Sequence, residues 1–167
     1  MLAAKNAGLV GKIGISAYGA EEIDLITSRF RLDLVQAPLS IVDRRLITSG
    51  CIDRMHKAGI EFHARSAFLQ GLLLMDQPQR PASFARWNEL WAAWHGWLQE
   101  VRLTPLQACL GFVAAQQSVA RFVVGVDSCA QLEQILSAVD VAEGLTFPTE
   151  LASQDPYLIN PSNWSAH

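Results

Sequence analysis

Apolar positions in this chain follow two spacings that alternate along its length. Short continuous or alternating blocks predict strands, and blocks at intervals of three and four predict helices. Lys12–Ser16 is short and β-branched and follows a glycine-rich turn, so it predicts a first strand. A helix is expected from Ala20 to Phe30, with Glu21 and Glu22 at its positive end and Ile23, Ile26 and Phe30 on one face. Asp33–Gln36 predicts a second strand that Pro38 ends. Ile41–Gly59 is helical in character, with a break at Ser49-Gly50 and a stop at Gly59. Ile60–Arg65 predicts a third strand, and Asp76–Pro81 a loop.

The second half repeats the alternation. Ala82–Val101 carries Phe84, Trp87, Leu90, Trp91, Trp94, Trp97, Leu98 and Val101 at helical spacing, an apolar stripe best read as packing against the body. Thr104-Pro105 opens another helix, with Thr as cap and Pro at the first helical position. Its buried face is Leu106, Cys109, Leu110 and Val113. Phe122–Val126 is continuously apolar, as a strand covered on both faces would be. Leu132, Ile135, Leu136 and Val139 mark its following helix, and the Pro- and Asn-rich chain from Gly144 reads as a surface tail. Four strands each followed by helix give an α/β class with parallel β/α units. Such a sheet has two open edges, and open parallel edges call for a cover. Residues 1–167 are expected to form a single partial barrel domain, with 144–167 as its tail.

Composition narrows the function classes. The 167 residues carry 13 Lys and Arg against 16 Asp and Glu, a formal charge of −3, so no basic face for nucleic acid is expected. Half the residues are hydrophobic, which excludes wholesale disorder. Cys51, Cys109 and Cys129 are odd in number and widely spaced, the usage of reduced thiols in a cytoplasm. The N-terminus has no signal-peptide pattern, and the most apolar run, Phe68–Met75, is far short of the ~20 residues that span a bilayer.

The usual catalytic motifs are absent. The chain contains no GxGxxG and no GxxxxGK[ST]. Gly14-Ile15-Ser16 is one residue out of register for a nucleophile elbow. His56, His63, His95 and His167 make no HxxxH pair, and His63 reads as a hydrogen-bonded residue of a strand. Arg44-Arg45 reads as a solvated face that a phosphate could meet. In a parallel β/α barrel, ligands are bound at the strand C-termini, where helix N-termini also point. The residues predicted there are mostly small or polar.

Four stretches carry a resemblance. GLVGKIGISAYGAEEI from Gly8, DLVQAPLSIVDRRL from Asp33, GIEFHARSAFLQGLL from Gly59 and VVGVDSCAQLEQIL from Val123 are similar to the fifth to eighth strands of the aldo-keto reductase family. They occur in the family's order and spacing, and YLINPSNW from Tyr157 fits the tail of a bacterial branch. The resemblance implies the second half, strands 5–8, of a (β/α)8 TIM barrel, and NADPH-dependent reduction of an aldehyde, ketone or sugar carbonyl. Carried over by position, Ser16 and Gln36 hold the nicotinamide carboxamide. Arg65 stands where an aromatic usually stacks on the nicotinamide. Ser66, Phe68 and Gly71 line the pyrophosphate path, and Gly125, Val126, Asp127 and Gln131 lie near the adenosine. Asp127 is a poor neighbour for a 2′-phosphate, so NADH remains open.

The family's catalytic Asp, Tyr, Lys and His come from its first four strands, which this chain does not match. No catalytic residue is assigned, and the isolated chain is expected to be inactive or nearly so. The alternative is a catalytically silent half-barrel that binds or self-assembles. A homodimer, or an N-terminal barrel half, would cover the open edges.

Overall fold

The computed structural model describes residues 1–139 and 144–166. After a short helix α1 (Leu2–Asn6) come β1 (Gly14–Ser16), α2 (Ala20–Thr27), β2 (Leu34–Pro38), α3 (Arg45–Thr48), α4 (Cys51–Lys57) and β3 (Glu61–Arg65). The second half holds α5 (Asn88–Val101), α6 (Pro105–Ala114), β4 (Val119–Phe122), α7 (Cys129–Ala138) and α8 (Pro156–Ile159). The four strands form one sheet in chain order, every pair parallel. Among the described residues, β1 and β4 are its edges.

Register divides the sheet into two unlike faces. Val35, Ala37, Phe62 and Ala64 are buried on one face, in a core with Ile23, Ile52, Trp94, Cys109 and Phe112. On the other face Ser16, Gln36, His63 and Arg121 stand side by side in register. This face is polar, and Ser16 and Arg121 are exposed. The His63 ring nitrogen Nε2 lies 3.2 Å from Glu61 Oε2, and Lys12 closes on the other oxygen of the same carboxylate. The Lys12 hydrogen bond, with a lesser contribution from His63, holds the Glu61 carboxyl below its ordinary value. His63 is thus the hydrogen-bonded strand residue that the sequence predicts.

Local chemistry sets the element ends. Gly14 is required where β1 meets β2, because a Cβ there would lie 2.2 Å from the Leu34 carbonyl oxygen. The helix break at Ser49-Gly50 is present, with Gly50 in the left-handed region at φ 67°. Thr104 and Gln107 form a reciprocal capping box at the start of α6. The aromatic stripe is packing. Trp91 and Trp94 are buried, and their indole N–H groups donate to the carbonyls of Phe84 at 2.9 Å and Leu73 at 3.2 Å. Its first six residues, Ala82–Trp87, are 3-10 rather than α.

Three expectations are corrected. The helix expected to reach Phe30 ends at Thr27, and Phe30 is exposed. There Thr27 and Ser28 donate their hydroxyls to the carbonyls of Ile23 and Leu25, competing with the helix for its last acceptors. Ile41–Arg44 is a turn rather than helix, since the Ser40 hydroxyl accepts the amides of Val42 and Asp43. The fourth strand is Val119–Phe122, ahead of the predicted Phe122–Val126, and Val123 and Val126 are exposed. No strand lies beyond β4 among the described residues, so its apolar run lacks a second neighbour to cover it.

Arg44-Arg45 is not a solvated face. Arg44 is buried, donating to the carbonyls of Ile41, Phe147 and Pro148. Arg45 makes a bidentate pair with Asp43, both bonds 2.9 Å. The tail packs into the core through Leu151, Leu158 and Ile159. Among the described residues no disulfide forms, and no helix is long and apolar enough to cross a membrane.

Candidate functional site

Beyond the C-terminal ends of β3 and β4 lies a cleft of about 690 Å³. A small second core builds its floor, where Leu110 of α6 and Ile135 and Ala138 of α7 meet Phe68, Leu106 and Phe122. One wall is the loop after β3. Ser66, Leu69 and Gln70 there have φ of 61°, 48° and 54°, and Gly71 has 84°. Among the described residues the only other non-glycine at positive φ is Arg102. A non-glycine in this region costs roughly 1–3 kcal/mol, and such strain gathers at ligand-binding loops. The buried Leu69 anchors the loop, and its amide donates to the Ser66 carbonyl at 2.9 Å. The amides of Gln70 and Gly71 donate to no acceptor among the described residues, and both residues line the cleft. Successive free amides in a turn are an anion-binding arrangement.

The opposite wall is the start of α7. The Asp127 amide donates to the side-chain oxygen of Gln131 at 2.7 Å, and the Ser128 hydroxyl accepts the Gln131 amide at 3.2 Å. Gln131 therefore ties down the loop that leads into the helix. Its N-terminal turn faces the cleft through Gly125, Asp127 and Gln131.

The residues singled out from the sequence fall into two neighbouring groups. Ser66, Phe68, Gly71, Gly125, Asp127 and Gln131 line the cleft. Ser16 and Arg65 end β1 and β3, Gln36 is mid-strand in β2 beside Ser16, and all three lie outside its lining. Val126 is exposed but not part of the lining. Phe68 serves mainly as floor, packed against both cores. Thr104, Pro105 and Gln70 also line the cleft and were not picked out as site residues. Thr104-Pro105 signals a helix start, and nothing in the sequence says which way that start faces. His167 lies outside the described residues.

Arg65 links the strand ends. Its guanidinium donates to the Ala17 carbonyl at 3.2 Å and to the Ser66 hydroxyl at 3.3 Å, and lies 4.6 Å from the centre of the Tyr18 ring. Because β2 separates β3 from β1, the side chain crosses two strand spacings, roughly 10 Å. It lays a cation across from the end of β3 to the residue that follows β1. Among the described residues it has no carboxylate partner, and no His, Cys, Asp and Glu group is placed to hold a metal.

A parallel sheet backed by helices, with a crevice past its strand ends, has the architecture of part of a β/α barrel. The sequence matches the model of the aldo/keto reductase family over residues 1–144, and the chain belongs to that family. The fold is similar to that of aldo-keto reductase AKR11C1 from Bacillus halodurans in its holo form, with TM-score 0.62 and 19% identity. That match covers 89% of this chain and 50% of the other. A thermostable aldo-keto reductase, Tm1743, in complex with the inhibitor epalrestat, matches with TM-score 0.61 and 18% identity, over 90% of this chain and 49% of its own. The chain thus spans about half the length of these structures. No curated protein matches the sequence.

Proposed function

We propose that this chain supplies the nicotinamide-dinucleotide-binding part of an aldo-keto reductase that reduces a small aldehyde, ketone or sugar carbonyl. The observation that carries the reading is the cleft between the strained loop 66–71 and the start of α7. Its size suits a nucleotide, and its free amides and helix N-terminus suit a pyrophosphate. In this reading Ser66 and the amides of Gln70 and Gly71 take the pyrophosphate, with Phe68 beneath it. Gly125, Val126, Asp127 and Gln131 border the adenosine end, and Ser16 and Gln36 take the carboxamide. When bound, the cofactor supplies the hydride. Arg65 sets a fixed positive charge beside the nicotinamide end.

The residues at the strand ends offer no ready acid to accompany that hydride. Tyr18 stacks on Arg65, and no lysine or carboxylate bonds its hydroxyl among the described residues. A family-type Tyr, Lys, Asp and His set would come from residues that this chain does not match. The chain alone is expected to bind cofactor and to reduce carbonyls very slowly or not at all.

Titrating the purified chain with reduced nicotinamide dinucleotides, followed by calorimetry, tests the reading. Saturable binding that weakens in Gln36→Ala and Ser66→Ala supports it. Absence of binding by either dinucleotide at millimolar concentration overturns it, and substantial carbonyl reduction by the chain alone overturns the expected inactivity. The sheet edges and the exposed Val123 and Val126 favour a second reading, a half-barrel that assembles with itself. A stable dimer in sedimentation that takes up no dinucleotide would establish that reading instead.

A further inference from the structure

The cleft is distinctive in its charge. Among the described residues, Asp127 is the only ionisable one that lines it, and no Lys, Arg or His does. Arg65 is adjacent to Ser66 in sequence, but its guanidinium turns away toward Ala17 and Tyr18. Arg121 belongs to the polar face of the sheet, in register with His63. The Asp127 carboxylate forms no ion pair among the described residues and is not used in capping α7. That role falls to Ser128, while Gln131 holds the Asp127 backbone from the other side. A carboxylate is therefore held at a fixed point on the cleft wall, exposed, with its oxygens free to accept hydrogen bonds.

From this arrangement we infer that the cleft takes a dinucleotide with an unmodified adenosine ribose: Asp127 selects NADH and rejects NADPH. The inference rests on the dinucleotide reading above. The two cofactors share the pyrophosphate, so the loop amides and the α7 N-terminus contribute equally to both and cancel in the comparison. What differs is the ribose 2′ position. A 2′-hydroxyl can donate to a carboxylate, the pairing by which acidic residues recognise NAD elsewhere. A 2′-phosphate carries about −1.5 to −2 charge at neutral pH and only accepts. It would meet the Asp127 carboxylate with no lining cation to offset the repulsion. The other polar side chains on that wall, Gln131 and Gln134, are neutral.

The test is a comparison of dissociation constants for NADH and NADPH on the intact chain, at low and high salt. NADH is expected to bind at least tenfold more tightly. Asp127→Asn should narrow the ratio by weakening NADH and relieving NADPH, Asp127→Glu should largely restore it, and Asp127→Lys should invert it. The NADPH handicap should also shrink as salt rises, because it is electrostatic and exposed. A merely structural role for Asp127 would leave both the ratio and its salt dependence unmoved. NADPH binding as tightly as NADH to the unmodified chain, or an unchanged ratio in Asp127→Lys, overturns the inference while leaving the dinucleotide reading intact. Failure of both dinucleotides to bind overturns the two together. Asp127 is exposed and its side chain caps nothing, so the variants are expected to fold, as circular dichroism will show.

Discussion

His95 accepts an N–H of Arg80 at 3.1 Å, and it can do so only as a neutral imidazole. The same guanidinium donates to the Met75 carbonyl at 2.9 Å and stacks on Trp91 at 4.2 Å, leaving its Nε buried without a partner among the described residues. Burial, and then the positive charge of Arg80, hold the His95 pKa below its ordinary value, with Asp76 opposing. The unfolded chain therefore binds a proton at His95 near pH 6.5 while the folded chain still resists it. Stability from this residue is fully present above that pH and is lost as the pH falls through the interval down to the folded pKa. Urea midpoints measured from pH 7.5 to 5 should decline, and His95→Gln, which keeps an acceptor but cannot charge, should flatten part of the decline. If the two proteins track each other, the Arg80 contact does not couple to protonation. At this scale the sequence was a partial guide. It marked Asp127 as a bad neighbour for phosphate, but it left Arg44 as one of a surface pair. The acceptors of Arg44 are carbonyls, which side-chain chemistry does not reveal.

Elements are placed by spacing and trimmed by local hydrogen bonds. The β1–β2 contact shows how little room that leaves. A methyl on Gly14 would meet backbone rather than a movable side chain, so Gly14→Ala forces the strands apart. A loss of about 1–3 kcal/mol is expected, read as a lower denaturation midpoint. Gly11→Ala is a fit control, because nothing lies within 4 Å of its added carbon. All four strands were legible from apolar blocks, and three sit where the blocks are. The fourth slipped because a hydrophobic run does not reveal how many neighbours its strand has. The loop after β3 hid its strain for a different reason. Ser66, Leu69 and Gln70 adopt positive φ without glycine, and only Gly71 gave a sign of it. The cleft wall was thus foreseeable as a set of residues but not as a shape.

Over the whole molecule, four stretches in register with a known barrel made the fold class readable. The tie that joins Arg44 to the tail was not readable. Arg44 sits 9% exposed, its Nη2 donating to the Pro148 carbonyl at 2.6 Å and its guanidinium 4.8 Å from the Phe112 ring. Burial lowers its pKa, and Glu150 opposes that change. Arg44→Ala would strip three carbonyls of a charged donor and should cost about 2–4 kcal/mol. Hydrogen exchange should then accelerate around Leu151, Leu158 and Ile159 more than in β2 and β3. Equal acceleration everywhere would mean that the arginine supports the body as a whole rather than the tail. The same tie bears on how the protein is made. Arg44 and Pro148 are 104 residues apart. At ~5–20 residues per second of synthesis, a nascent chain would carry Arg44 for roughly 5–20 s before its carbonyl partners leave the ribosome. During that interval the Arg44 guanidinium lacks the Phe147 and Pro148 carbonyls. All four strands, which end at Phe122, are thus synthesised before this clasp can close.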